Sequence, residues 1–263
     1  MLLPELDAPS NCILSVLENG EITLKGKFLW GSNYTFLAEV EQEGQVLQAV
    51  YKPSRGERPL WDFPTASLAH REAAAYLVSE ALGLHMVPET VYRKRAPVGP
   101  GSLQRFIEHD PEYHYFNFSE EDHQRLRPVA VFDLVINNAD RKGGHVLFDP
   151  SGNIWLIDHG ICFHVEDKLR TVIWDFAGEP IPADLKKALE ALHRQLQPGQ
   201  GTELVGKLPV AKTPASLTLI ESLRKHLSAG EVKAMAARTR QLLDRGTFPN
   251  PVPERRPYPW PPL

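Results

Sequence analysis

Asn137-Asn-Ala-Asp-Arg-Lys-Gly-Gly-His145, followed by Leu156-Ile-Asp-His-Gly160, is the stretch on which the fold of this 263-residue chain turns. Asp140 and Asp158 are 18 residues apart in it. The apolar runs 145–148 and 153–157 lie between them, joined by Asp149-Pro-Ser-Gly-Asn, and predict a hairpin. Upstream, Ser119-Glu-Glu-Asp has the form of a helix N-cap with early acidic residues, and predicts a helix running to about Asn137. One aspartate in a loop at a helix end and another closing the next hairpin fall on one side of a cleft. Phosphoryl transfer from ATP needs such a pair: a carboxylate to orient the acceptor, and hard oxygen ligands to hold magnesium on the phosphates. Taken singly, Asp140 reads as an Asx-turn or helix stop and Asp158-His-Gly as a turn after a strand. The ordered pair points to chemistry.

Working outward, the first third reads as strands. Residues 12–17 and 21–29 flank Asn19-Gly20, a two-residue hairpin signal. Tyr34–Val40 and Val46–Lys52 flank Glu41-Gln-Glu-Gly-Gln, a second hairpin, and Pro53 closes that strand. A helix is predicted from about Ser67 to Leu82, with Gly83 as its stop. Short strands Val87–Arg93 and Ser102–Ile107 follow it. Beyond Asp158, helical patterns cover 182–196, 215–227 and 229–244. The order is a β-rich part with one main helix, then a helical part with a hairpin inserted early.

Lys52 ends a hairpin strand, and Glu72 follows 20 residues later on the next helix. A strand lysine held by a helix glutamate grips the α- and β-phosphates of ATP in kinases. Glu80, two turns further along, competes for the glutamate role, but Glu72 lies nearer the point where the strand lysine is directed. Trp30-Gly31-Ser32-Asn33 stands between strands where a phosphate-covering loop belongs, and reads either as such a loop, with its backbone amides and the Ser32 hydroxyl as anion contacts, or as an ordinary hairpin turn. Gln104-Arg-Phe106-Ile107 closes the fifth strand, at the level where an adenine meets backbone groups. Lys142, two positions after Asp140, is a candidate to steady the transferred phosphoryl group. Trp-Asp-Phe occurs twice, at 61–63 and 174–176, and reads either as an acceptor pocket or as anchors for irregular loops.

Composition bounds the alternatives. With 42% apolar and 24% charged residues the chain is globular. It contains no run of 18 apolar residues for a membrane span. Met-Leu-Leu-Pro-Glu-Leu-Asp at the start lacks the zones of a signal peptide. Cys12 and Cys162 match neither a disulfide framework nor a zinc cluster, which predicts reduced thiols and a cytoplasmic location. A formal charge of −4 argues against nucleic acid as a partner, and stable membrane insertion is not expected. Seven prolines between 249 and 262 predict an extended tail, and Tyr258 and Trp260 predict that it docks on the domain.

Asn138-Ala-Asp140-Arg141 through Ile157-Asp158-His-Gly160-Ile-Cys-Phe163 resembles the paired motifs of the phosphatidylinositol 3/4-kinase superfamily, with type II phosphatidylinositol 4-kinases and HipA-like serine kinases as the branches nearest in pattern. The resemblance implies an α+β, bilobal protein-kinase-like fold. A β-rich N-lobe would span residues 1–106, and a mostly helical C-lobe 107–248, with a Pro-rich tail at 249–263. It also implies ATP and Mg²⁺ or Mn²⁺, with Asp140 as catalytic aspartate, Asp158 as principal metal ligand and Lys52 as nucleotide lysine. Two positions depart from the family. His145 stands where a metal-binding asparagine is usual, and it reads either as a metal ligand, since imidazole suits manganese or zinc better than magnesium, or as a histidine tucked against the hairpin with no metal. His159 stands where phenylalanine is usual. The expected activity is transfer of the γ-phosphate to a hydroxyl on a protein or small molecule. The alternative is a nucleotide-binding pseudokinase in which His145 marks lost catalysis.

Overall fold

The computed structural model describes residues 10–28, 34–197 and 217–263. Its first element corrects an expectation, because the segment read as a strand over 12–17 is helix α1, Ser10–Asn19. Ile13, Leu14, Val16 and Leu17 are buried at helical spacing, and a short apolar run of this kind fits either period until tertiary packing decides. Asn19-Gly20 is therefore a helix exit: Gly20 N–H donates to Val16 O at 2.8 Å. A Cβ on Gly20 would lie 2.7 Å from that oxygen and 2.8 Å from Glu41 O, so only glycine fits.

Strands β1 (Glu21–Lys27), β2 (Phe36–Gln42), β3 (Gln45–Pro53), β4 (Thr90–Arg93) and β5 (Gly101–Arg105) form one antiparallel sheet in the order β1-β2-β3-β5-β4. The β2–β3 hairpin turns at Glu43-Gly44, both at positive φ, as a two-residue loop matched to strand twist requires. Helix α2, Leu68–Ala81, packs on β4 and β5, and its small Ala73, Ala74 and Ala75 let the backbone approach closely. Gly83, at φ +69°, ends it as the sequence predicts.

The helical half begins with two helices where one was expected, α3 (Glu120–Gln124) and α4 (Arg127–Ile136). Ser119 does cap the first, accepting Asp122 N–H at 3.1 Å. Pro128 opens the second, since its missing N–H and its ring cannot continue the preceding turn. Asn137, left-handed at φ 54°, stops α4. The predicted hairpin is β6 (Val146–Phe148) with β7 (Ile154–Leu156). Helices α5 (Ala183–Gln195), α6 (Leu219–Leu223) and α7 (Ala229–Arg245) complete the lobe, and the first residues of the pattern at 215–227 lie outside the described residues. Arg71 of α2, fully buried, crosses between the two parts by donating to Cys162 O at 2.6 Å and to the Glu231 carboxylate of α7. Among the described residues, no helix is long and apolar enough to cross a membrane.

Segment 249–263 is irregular apart from one turn at Pro253–Arg255, and it does dock on the lobe. The aromatic residues are not the anchors. Pro257 and Pro259 are buried, while Tyr258 is exposed and Trp260 is 90% exposed.

Candidate active site

β3 and α2 bring Lys52 and Glu72 together, as their spacing predicts. The Lys52 ammonium lies 2.5 Å from Glu72 Oε1 and 3.0 Å from Asp158 Oδ1. Burial works against its charge, but the two carboxylates outweigh that and hold its pKa above the ordinary lysine value. Glu72 is itself buried, and its second oxygen accepts the His159 N–H at 2.9 Å. Glu80 lies elsewhere, paired with His85 at 3.0 Å. Asp158 follows β7 at φ +62°, a left-handed backbone that sharply redirects the chain. The neighbouring Lys52 ammonium pulls its carboxyl well below the usual range, against the opposing effect of burial.

Across the cleft, Asn138 Oδ1 accepts the Asp140 N–H at 3.0 Å, an Asx turn that fixes the loop. The Asp140 carboxyl is raised to about 6. Burial is the main cause and the Asp158 charge adds to it, while Lys142 and Arg170 counter it. Lys142 thus acts on Asp140 through its field. His145 Nε2 lies 3.4 Å from Asp158 Oδ2, and its Nδ1 lies 3.1 Å from Asp140 O. Burial lowers His145 to about 4, with Asp158 opposing and Arg141, Lys52 and Lys142 reinforcing, so the imidazole is neutral near pH 7. Lys52, Glu57, Glu72, Asp140 and Asp158 line one open cleft.

A buried ion pair that the sequence reading did not single out holds this arrangement. Asp133 of α4 and Arg141 are both 0% exposed. The Arg141 Nε donates to both Asp133 oxygens at 3.1 Å, and its Nη2 donates to Oδ1 at 3.0 Å. The same guanidinium donates to His145 O at 3.1 Å, to Ile157 O at 3.0 Å and to His159 Nε2 at 2.9 Å. One side chain thereby ties the Asp140 loop to the Asp158 turn. A sequence signal existed: an aspartate inside the apolar run Val129–Ile136 must be paired once it is buried.

Gly31, Ser32 and Asn33 lie outside the described residues. Gln104 is buried in the sheet and donates to Thr90 Oγ1 at 2.8 Å, and Phe106 N–H donates to Gln48 O at 3.0 Å; neither residue lines the cleft. The Trp-Asp-Phe triplets anchor loops. Asp62 pairs with Lys168 at 3.2 Å, Asp175 accepts the Tyr115 hydroxyl at 2.8 Å, and Phe63 and Phe176 are buried.

With this geometry in place, comparison with known proteins is informative. The model of the family "Phosphatidylinositol 3- and 4-kinase" matches residues 65–203, more than half of the chain. The chain belongs to that family. It is 38% identical to protein Rv2133c of Mycobacterium tuberculosis, with 94% of each chain covered. It is 29% identical to phosphatidylinositol 4-kinase gamma 4 of Arabidopsis thaliana over 47% of this chain and 27% of that one. Among solved structures, the Helicobacter pylori proinflammatory kinase CtkA superposes with a TM-score of 0.50 over 88% of this chain and 94% of its own, at 12% identity, a likeness of fold. The α+β bilobal kinase-like architecture is thus that of this phosphatidylinositol 3- and 4-kinase family member, and phosphotransfer is the activity its family points to.

Proposed function

We propose that the protein transfers the γ-phosphate of ATP to a hydroxyl acceptor on a protein or small molecule. One observation carries the reading: Lys52 bonds at once to Glu72 of α2 and to Asp158, with Asp140 lining the same cleft. Lys52, kept charged by its two carboxylates, grips the phosphates. Asp140 orients the acceptor hydroxyl and takes its proton as the new O–P bond forms and the bond from the γ-phosphorus to ADP breaks. A carboxyl at about 6 is ionised near neutral pH yet basic enough for that task. Lys142 steadies the transferred group. The division into N-lobe 1–106, C-lobe 107–248 and segment 249–263 belongs to the same reading.

Asp158 and His145 are the residues that would hold a divalent cation, which when bound neutralises phosphate charge. Among the described residues, no three His, Cys, Asp or Glu side chains cluster as a metal cage. That fits magnesium-type sites, which take one or two protein ligands and fill the rest with phosphate and water. Neutral His145 supplies a nitrogen lone pair suited to manganese. Incubation with labelled ATP and Mg²⁺ or Mn²⁺ tests the proposal, by following label in protein, in added acceptors and as free phosphate. No turnover with either metal, together with intact ATP binding, would make the protein a nucleotide-binding pseudokinase.

A further inference from the structure

The proline-rich segment lies against the two strips of backbone that frame Asp140. Pro262 O accepts the Gly143 N–H at 2.8 Å. Pro257 O accepts the Thr171 N–H at 3.0 Å and the Trp174 indole N–H at 3.3 Å. Gly143 and Thr171 are both buried. A Cβ on Gly143 would lie 2.9 Å from the Phe116 ring and 3.4 Å from Leu263, so this loop is packed between them. Thr171 in turn belongs to the site's frame. Its hydroxyl donates to Asp133 at 3.1 Å, Arg141 N–H donates to Arg170 O at 3.0 Å, and Val172 N–H donates to Arg141 O at 3.1 Å.

The chemistry of the contact is that of proline-peptide recognition. Prolines offer carbonyl acceptors and no N–H, so their partners must be donors, and here these are two backbone amides and an indole. Fixed proline φ angles keep the entropy lost on docking small. Pro257 and Pro259 face the lobe, while Tyr258 and Trp260 face solvent.

We propose that residues 257–262 are a built-in proline-rich ligand, and that Phe116, Gly143, Thr171 and Trp174 form a proline-peptide groove whose occupancy holds the Asp140 loop in place. The consequence for turnover rests on the phosphotransferase reading; the groove itself does not.

The test uses the full chain carrying Pro257→Asp and Pro259→Asp, which sets charges at two buried contacts and releases the segment without altering the groove. Amide hydrogen exchange at Gly143 and Thr171 should accelerate at least tenfold, the order expected for losing a backbone hydrogen bond in a shielded site, while α4 amides keep their protection. A synthetic peptide of residues 251–263 should then restore protection at both amides. Full-length Trp174→Phe, which keeps a ring but loses the donor, combined with the two proline substitutions, should bind that peptide about fivefold more weakly. Unchanged exchange in the released variant, or a peptide that binds without restoring it, overturns the proposal. In ATP hydrolysis, release should lower kcat about tenfold with KM for ATP within twofold, and the peptide should reverse it. A wild-type chain without turnover would sink the phosphotransferase reading alone, since the exchange data still decide the groove.

Discussion

Replacing Arg141 with methionine tests whether one buried cation organises the site. The substitution keeps much of the side-chain volume and strands the Asp133 carboxylate, which is 0% exposed. Breaking a buried ion pair from one side costs about 3–5 kcal/mol. Asp133 keeps two neutral donors, Asn138 Nδ2 at 3.0 Å and the Thr171 hydroxyl at 3.1 Å, which offset part of that loss. The carbonyls of His145 and Ile157 and the His159 ring lose their donors as well, adding on the order of 1 kcal/mol each where water cannot replace them. A net destabilisation of about 4 kcal/mol follows, and at roughly 2–4 °C per kcal/mol for a chain of this size the midpoint of thermal unfolding should fall by about 10 °C. Circular dichroism melts and urea titration measure it. Pairing Arg141→Met with Asp133→Leu removes both charges and should recover at least half of the loss. A fall below about 2 °C for the single variant, or a double variant no more stable than the single one, would refute the reasoning.

Three other outcomes are expected. Lys52→Ala and Glu72→Ala should each weaken ATP binding about tenfold or more in calorimetry while Glu80→Ala leaves it unchanged, and equal losses at Glu72 and Glu80 would contradict the pairing. Asp140→Ala should abolish transfer with ATP affinity retained within about twofold, whereas Asp158→Ala should weaken metal-supported binding; parallel affinity losses in both would end that division of roles. Burial, with the nearby His70 adding to it, lowers His226 to about 4, so the folded chain binds fewer protons than the unfolded one between that value and the unfolded value of about 6.5. Its share of stability is complete above about 6.5 and is lost as pH falls towards about 4, so His226→Asn should flatten that limb of a stability–pH curve, and an unchanged slope would exclude it.

What the sequence made legible follows from the range of each signal. Lys52 and Glu72 were readable because a strand end and a helix face fix direction locally, and the aspartate pair because its hairpin is local too. Residues 12–17 misled because four apolar positions satisfy a strand or a helix, and only packing under the sheet chooses between them. Pro128 carried the break between α3 and α4 in plain view, but a proline at a helix start and one inside a helix look alike until the ends are known. Gln104 was placed by position alone, for its backbone groups, and its buried side-chain amide answers Thr90 on the neighbouring strand.

The two departures from the family pattern, His145 and His159, look independent in sequence and are joined in the fold. Arg141 holds the carbonyl of the first and donates to the ring of the second, so His159 Nε2 must be an acceptor and its proton sits on Nδ1. That nitrogen has no hydrogen-bond partner; the nearest carboxylate oxygen is Glu72 Oε2, at 3.8 Å. Burial keeps both rings neutral, and the guanidinium between them pushes in the same direction. A protonated His159 would set a second positive charge directly against Arg141, so neutrality of this ring is a condition for their contact. A phenylalanine at 159 would satisfy that condition without any hydrogen bond but would leave one Arg141 donor buried and unanswered. Histidine at 159 is therefore explained by Arg141 rather than by a ligand, and of the two departures only His145, whose Nε2 faces Asp158, remains a candidate for contact with a cation.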